Sequence, residues 1–193
     1  MRRPEPMAHD PYTLPQDLPV PSDDGAADHL TGAGVPSLVL DSSQGPVDLA
    51  ELCTEIGVVY VYPRTGKPGV DSLPGWDAYP GARGCTPQSC AFRDHAAELG
   101  EVGAVLAGLS SQTLADQVEF AERNHVPYPV VADPELRARD ALGLPTFEIA
   151  GHELYRRLAF VARRGSIVKV FYPVFPPDRN AGDVLDYLRA TLS

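Results

Sequence analysis

The chain has 193 residues, 44% of them hydrophobic, with 16 Lys and Arg against 26 Asp and Glu for a formal net charge of −10. That length suits one domain with a substantial core, and the acidic balance leaves no basic surface to neutralise phosphates or anionic lipid, which excludes nucleic acid and membrane surfaces as partners. No apolar run is long enough to span a bilayer, and Arg2-Arg3 is followed by Pro, Glu and His, which argues against a membrane span, a secretory signal and a twin-arginine signal.

Three cysteines make a sparse, odd count, unlike the dense, even framework of a small secreted disulfide fold, so a cytoplasmic, reducing location is expected. The five histidines are scattered and no Cys-x-x-Cys is present, so neither a metal nor another cofactor is expected.

Residues 1–34 read as a proline-rich N-terminal arm, extended through its six prolines at positions 4–21, and residues 35–193 as the folded domain. Ser37–Leu40 is a first strand, Ser42–Gly45 its turn, and Asp48 with Glu51 a capping-box-like start for a short helix to about Glu55. The apolar, β-branched and aromatic run Val58–Tyr62 suits a strand buried on both faces. From Pro63 to Gly84 the glycines and prolines are too many for a regular element, and a loop that long inside a domain is usually functional or disordered.

A helix is predicted over residues 86–99, a strand over 102–109, a helix over 113–124 and a short strand at 130–131. Asp133-Pro134-Glu135 reads as a further helix start. Strands at 157–162 and 167–172 flank the hairpin turn Arg163–Ser166, and a helix over 180–192 closes the chain. The order describes an α/β fold with a mixed central sheet and helices on both faces.

Two cysteines, Cys85 and Cys90, stand at the start of the helix that follows the long loop. Gly84 and Pro87 bracket that start, placing Cys85 where unpaired N–H groups and the helix dipole favour the thiolate, the reactive form. Arg83 and Arg93 are nearby in sequence and are candidates to add positive charge. Five residues along a helix give about 140° of net rotation and about 7.5 Å of rise. The two side chains then point apart, and a bond between them requires the helix to unwind. Pro87, Gln88 and Ser89 are weak helix formers that make unwinding easy. A thioredoxin-type oxidoreductase places two residues between its cysteines, so the longer gap argues against that chemistry. Cys53, on the inward face of a short helix, reads as core.

Gly84-Cys85-Thr86-Pro87-Gln88-Ser89-Cys90, after an apolar strand and opening a helix, resembles the Gly-Cys-Thr-x-x-x-Cys mark of the peroxiredoxins, specifically the Q-type subgroup also called bacterioferritin comigratory proteins. The likeness runs from about residue 35 to the C-terminus through Val61-Tyr62-Pro63, Phe92-Arg93-Asp94 and Arg157-Leu158-Ala159-Phe160. It implies a thioredoxin-like fold and a thiol peroxidase. Cys85 would attack a hydroperoxide to give a sulfenic acid, Cys90 would resolve it as an intramolecular disulfide, and a thioredoxin-like dithiol would reduce that disulfide. Arg157 would stabilise the thiolate and the leaving oxygen, with Arg156 the rival if the alignment is one residue out. Ala82 stands at the family's threonine position, with an insertion between Tyr62 and Cys85. The substrate-binding candidates are therefore Pro63 with Thr65, or Thr86. Trp76 and Tyr79 either wall the peroxide pocket or pin the long loop to the domain. The resemblance also implies a monomer rather than an obligate oligomer, which an intramolecular disulfide permits without requiring. The alternative on the same fold is a thiol-based redox sensor or binding protein.

Overall fold

The run at 58–62 lies at the middle of a five-stranded sheet in the computed structural model, which describes residues 10–192. Strands β1 (Val39–Leu40) and β2 (Val47–Asp48) first pair antiparallel across the Ser42–Gly45 turn. Asp48 caps α1 (Leu49–Leu52) by accepting a bond from the Ala50 amide at 2.9 Å. That helix stops at Cys53, short of Glu55.

After the central strand β3 (Ile56–Val61) and the long loop come α2 (Cys85–Asp94) and α3 (Ala96–Glu101). A single helix is predicted there; His95 divides it by leaving helical geometry at φ −96° and ψ 2°. Next come β4 (Val105–Ser110), α4 (Leu114–Asn124) and β5 (Val130–Ala132). The helix predicted from Asp133 begins later, as α5 (Arg137–Leu142), because Leu136 turns left-handed at φ 56°. The Asp133 carboxylate still accepts from the amides of Arg137 and Ala138 at 2.9 and 2.8 Å.

The hairpin β6 (Thr146–Ile149) and β7 (His152–Tyr155) has no counterpart in the sequence reading. Its turn is Ala150-Gly151, both at positive φ. Strands β8 (Leu158–Arg163) and β9 (Ser166–Phe171) form the predicted second hairpin, and α6 (Asn180–Leu192) ends the fold.

The main sheet runs β5-β4-β3-β8-β9, with β3, β4 and β5 parallel, β8 antiparallel to β3, and β9 antiparallel to β8. Alternation along β3 sends Val59 and Val61 to a core shared with α1 and α5, and Val58 and Tyr60 to a core shared with α2, α3, α4 and α6. This is the mixed, doubly covered sheet expected, in a thioredoxin-like arrangement. No described helix is long and apolar enough to cross a membrane.

Ala27 and Leu30 belong to the first core, and the Gly32 and Val35 amides bond to the carbonyls of Ile167 and Gly165 at 2.8 Å. The packed domain therefore begins upstream of residue 35, the boundary drawn from proline content. The carboxyl ends of β3 and β4 and the start of β8 meet at one edge of the sheet, where open α/β sheets usually hold their ligands.

Candidate active site

Cys85 is the first residue of α2, and its side chain is 2% exposed. The chain reaches it through Gly84, whose φ of 108° is open to glycine and unfavourable for other residues. The Arg64 amide, just past the end of β3, points at Cys85 Sγ from 3.4 Å. Arg157, just before β8, donates from Nη2 to the same sulfur at 3.2 Å. The end of one strand and the start of its antiparallel neighbour thus place two donors on one buried sulfur.

Arg157 is itself 4% exposed and heavily anchored. Its Nη2 also donates to the carbonyls of Gly81, Ala82 and Arg83 at 3.2, 2.9 and 3.1 Å, and its Nη1 donates to Gln88 Oε1 at 2.6 Å. Gln88 is buried on α2 and passes the connection on, donating from Nε2 to Asn180 Oδ1 at the start of α6 at 3.0 Å. Among the described residues no carboxylate accepts from this buried guanidinium. Burying a charge without a counter-charge is costly, and Cys85 Sγ is among the acceptors this guanidinium meets. The neighbour Arg156 faces elsewhere, donating to Thr146 O at 3.1 Å, Asp24 Oδ2 at 2.6 Å and Tyr172 Oη at 3.1 Å.

The other arginines near Cys85 in sequence are engaged with different partners. Arg83 bonds to Asp77 and to the carbonyls of Asp10 and Thr13. Arg93 bonds to Asp94 and to Asn124 O, on the side of α2 nearer Cys90.

Cys90 lies farther along the same helix, half-buried and reduced, with Sγ 3.9 Å from Asn124 Oδ1. Burial pushes its thiol above the usual range. Cys53 is fully buried, and desolvation raises its thiol to about 12, so it is chemically inert as well as part of the core.

Three further candidates, Pro63, Thr65 and Thr86, lie just past the end of β3 and at the start of α2. Pro63 is buried, and its carbonyl accepts from Ser110 Oγ at 3.1 Å. Thr65 donates from Oγ1 to Gln112 Oε1 at 3.0 Å, which uses its hydroxyl proton. Thr86 Oγ1 is buried with no hydrogen-bond partner. Ala82, at the position where a hydroxyl was sought, contributes its carbonyl instead, accepting from Arg157 and facing Cys85 Sγ at 3.5 Å.

A cavity of about 300 Å³ opens beside Arg64 and Thr65, walled by Leu73, Trp76 and Gln112. Trp76 also reaches the second core, and Tyr79 stacks on Phe147 at 4.3 Å. Trp76 therefore both lines this cavity and pins the loop, and Tyr79 likewise both pins the loop and lines a second cavity of about 180 Å³ beside Gly81, Arg156 and Arg157. Gln88 and Asn180 were not singled out in the sequence. Gln88 could have been found from its place one helical turn after Cys85.

A Cβ on residue 84 would overlap Pro177 Cγ and stand 3.0 Å from Leu14 Cδ2. Gly84→Ala should therefore destabilise the fold by about 2 kcal/mol or more, from overpacking added to left-handed strain. Chemical denaturation reads this, and an unchanged midpoint would mean that the α2 start can shift freely.

Residues 30–185 match the family described as Redoxin. Peroxiredoxin Q, chloroplastic, of Arabidopsis thaliana is 28% identical over 161 residues, covering 82% of this chain and 67% of that protein. Peroxiredoxin Q, chloroplastic, of Oryza sativa subsp. japonica is 26% identical over 160 residues, covering 82% and 66%. The chain thus spans about two thirds of the length of these relatives. Among solved structures, Peroxidoxin BcpB from Mycobacterium tuberculosis superposes with a TM-score of 0.65 at 28% identity, covering 83% of this chain and 96% of that one. Xanthomonas campestris Peroxiredoxin Q gives 0.63 at 22% identity, covering 92% and 100%, a likeness of fold.

Proposed function

The chain belongs to the Redoxin family and within it is a Q-type peroxiredoxin, and on that premise we propose that it is a thiol peroxidase in which Cys85 is the nucleophile and Cys90 the resolving group. The observation that carries this reading is the Arg157 guanidinium, buried with no carboxylate bonded to it among the described residues and 3.2 Å from Cys85 Sγ at a helix start. The thiolate is its counter-charge.

In the reaction the Cys85 sulfur attacks one oxygen of the hydroperoxide. An S–O bond forms, the O–O bond breaks, and the leaving oxygen departs as alkoxide or hydroxide and takes up a proton. Arg157 stabilises both the thiolate and the charge growing on the leaving oxygen. Pro63, buried just past β3, fixes the chain that carries the Arg64 amide to the thiol. Thr86, with an unpartnered hydroxyl, and Thr65, whose hydroxyl oxygen retains lone pairs, orient the peroxide.

Cys90 as thiolate then attacks the Cys85 sulfur, forming S–S and expelling the oxygen as water. Both cysteines lie on α2 and point about 140° apart, so the segment 86–91 must melt for this step. Melting also exposes Cys90 and removes the burial that holds its thiol up. An external dithiol of the thioredoxin kind restores both thiols. The remaining parts of the reading are a monomer in a reducing compartment such as the cytoplasm, acting on hydrogen peroxide and organic hydroperoxides.

One equivalent of hydrogen peroxide, followed by mass spectrometry and hydrogen exchange, tests this. Wild type should lose two free thiols, and its amides at 86–91 should exchange faster while the sheet stays protected. Cys90→Ser should accumulate sulfenic acid at Cys85 and over-oxidise. Equal exchange in the two redox states of a confirmed intramolecular disulfide would overturn the melting step.

A further inference from the structure

We infer that residues 10–24 form a strap over the cysteine helix that controls how fast the disulfide closes, an inference that rests on the two-cysteine reading above. The strap is fastened at both ends. At one end Tyr12 Oη donates to Asn124 Oδ1 at 3.0 Å, the same oxygen that lies 3.9 Å from Cys90 Sγ. Arg123 Nη1 donates to Tyr12 Oη at 2.6 Å, and its guanidinium lies over the tyrosine ring at 5.9 Å. Glu119 holds that arginine in turn at 2.7 Å.

On either side of Tyr12, the carbonyls of Asp10 and Thr13 accept from Arg83 Nη2 at 2.8 and 3.2 Å, two residues before Cys85. Leu14 sits against Gly84. Asp10, Thr13 and Leu14 therefore touch the segment that opens α2, and Tyr12 between them holds the group facing its second cysteine.

At the other end, Asp24 accepts from Arg156 Nη1 at 2.6 Å and from Tyr172 Oη at 2.8 Å. Between the ends, Leu18 and Pro19 line a crevice with Gly81, Arg83 and Arg157, covering the loop whose carbonyls hold the arginine. The prolines at 11, 15, 19 and 21 reduce the conformational entropy lost when such a segment docks.

Peroxide attack takes place with α2 intact, whereas disulfide closure needs it open. Opening α2 draws Gly84 away from Leu14 and Cys90 away from the Asn124 amide that Tyr12 holds, so these contacts favour the closed form, slow closure and leave attack alone. Tyr12 acts through Asn124 and is a positioning residue. Losing its hydroxyl in Tyr12→Phe removes two hydrogen bonds and should speed closure about fivefold, the effect of two solvent-accessible bonds at the low end of their range. Tyr12→Ala should speed it tenfold or more.

The experiment is rapid mixing of full-length reduced protein with hydrogen peroxide. Trp76 fluorescence follows two phases, acid-quench mass spectrometry assigns them, and over-oxidation is titrated alongside. The expected result is a faster peroxide-independent phase in both variants, an unchanged second-order phase, and a matching rise in the peroxide needed for over-oxidation. A merely structural role would alter both phases together. Closure no faster than wild type in Tyr12→Phe, with the wild-type disulfide formed, would overturn the strap alone. No intramolecular disulfide in wild type would overturn the two-cysteine reading and the strap with it.

Discussion

Cys85→Ser should abolish peroxide turnover, with the fold unchanged. The side chain is 2% exposed and its sulfur faces the Arg64 amide and Arg157 Nη2. A hydroxyl in its place still accepts from both and fills nearly the same volume. Stability should therefore stay within about 1 kcal/mol of wild type. What disappears is the polarisable, ionised nucleophile, because a serine hydroxyl ionises far less readily than a thiol and does not attack O–O bonds. Cys53→Ala is the matched control. Cys53 is buried, with its thiol held up at about 12, so turnover should survive there while stability falls. Peroxide consumption with a regenerating dithiol, beside thermal melting, measures both. Appreciable turnover in folded Cys85→Ser would remove Cys85 from the nucleophile's role.

The parts of the fold legible in the sequence are those where one physical signal dominates. Val58–Tyr62 reads as a buried strand because every residue in it is apolar, β-branched or aromatic, and it is the middle of the sheet. The Arg164-Gly165 turn is recognisable because strongly β-forming runs flank it. The Ala150-Gly151 turn has the same left-handed pair, but its flanks carry Glu148, His152 and Glu153, and neither strand stands out. Asp133 is not the N-cap that Asp133-Pro134-Glu135 suggests: Leu136 takes that position, and the Asp133 carboxylate reaches across to the amides of Arg137 and Ala138. Local pattern cannot show that Leu136 takes a left-handed conformation.

The site follows the same division. Cys85 and Cys90 are marked by their spacing and by Gly84 and Pro87. The anchoring of Arg157 depends on three carbonyls and Gln88, about 70 residues away in sequence, a relation that only the tertiary fold creates. The strap is the extreme case. Its residues have no periodicity, and their role rests on Arg83 in the long loop, Arg123 and Asn124 on α4, and Arg156 just before β8, which are far apart in sequence.

Arg157→Ala should lower the second-order rate of peroxide attack by about 10²–10³-fold, the scale of losing one preorganised donor to a developing charge. The loss has two physical components. The guanidinium that balances the thiolate is gone, and the carbonyls of Gly81, Ala82 and Arg83, together with Gln88 Oε1, lose a buried donor. The second component acts on stability, so the rate must be measured below the melting transition. Arg157→Lys separates the two: it restores a charge but cannot reach the sulfur, three carbonyls and Gln88 together, so it should recover only part of the rate. Arg156→Ala should leave attack near the wild-type value, because Arg156 donates to Thr146, Asp24 and Tyr172 and makes no bond to Cys85. It does release the Asp24 end of the strap, so its effect should fall on disulfide closure. If Arg156→Ala slowed attack more than Arg157→Ala, the charge acting on the thiolate would come from the neighbouring residue, and the account of the site built on the 3.2 Å contact would be wrong.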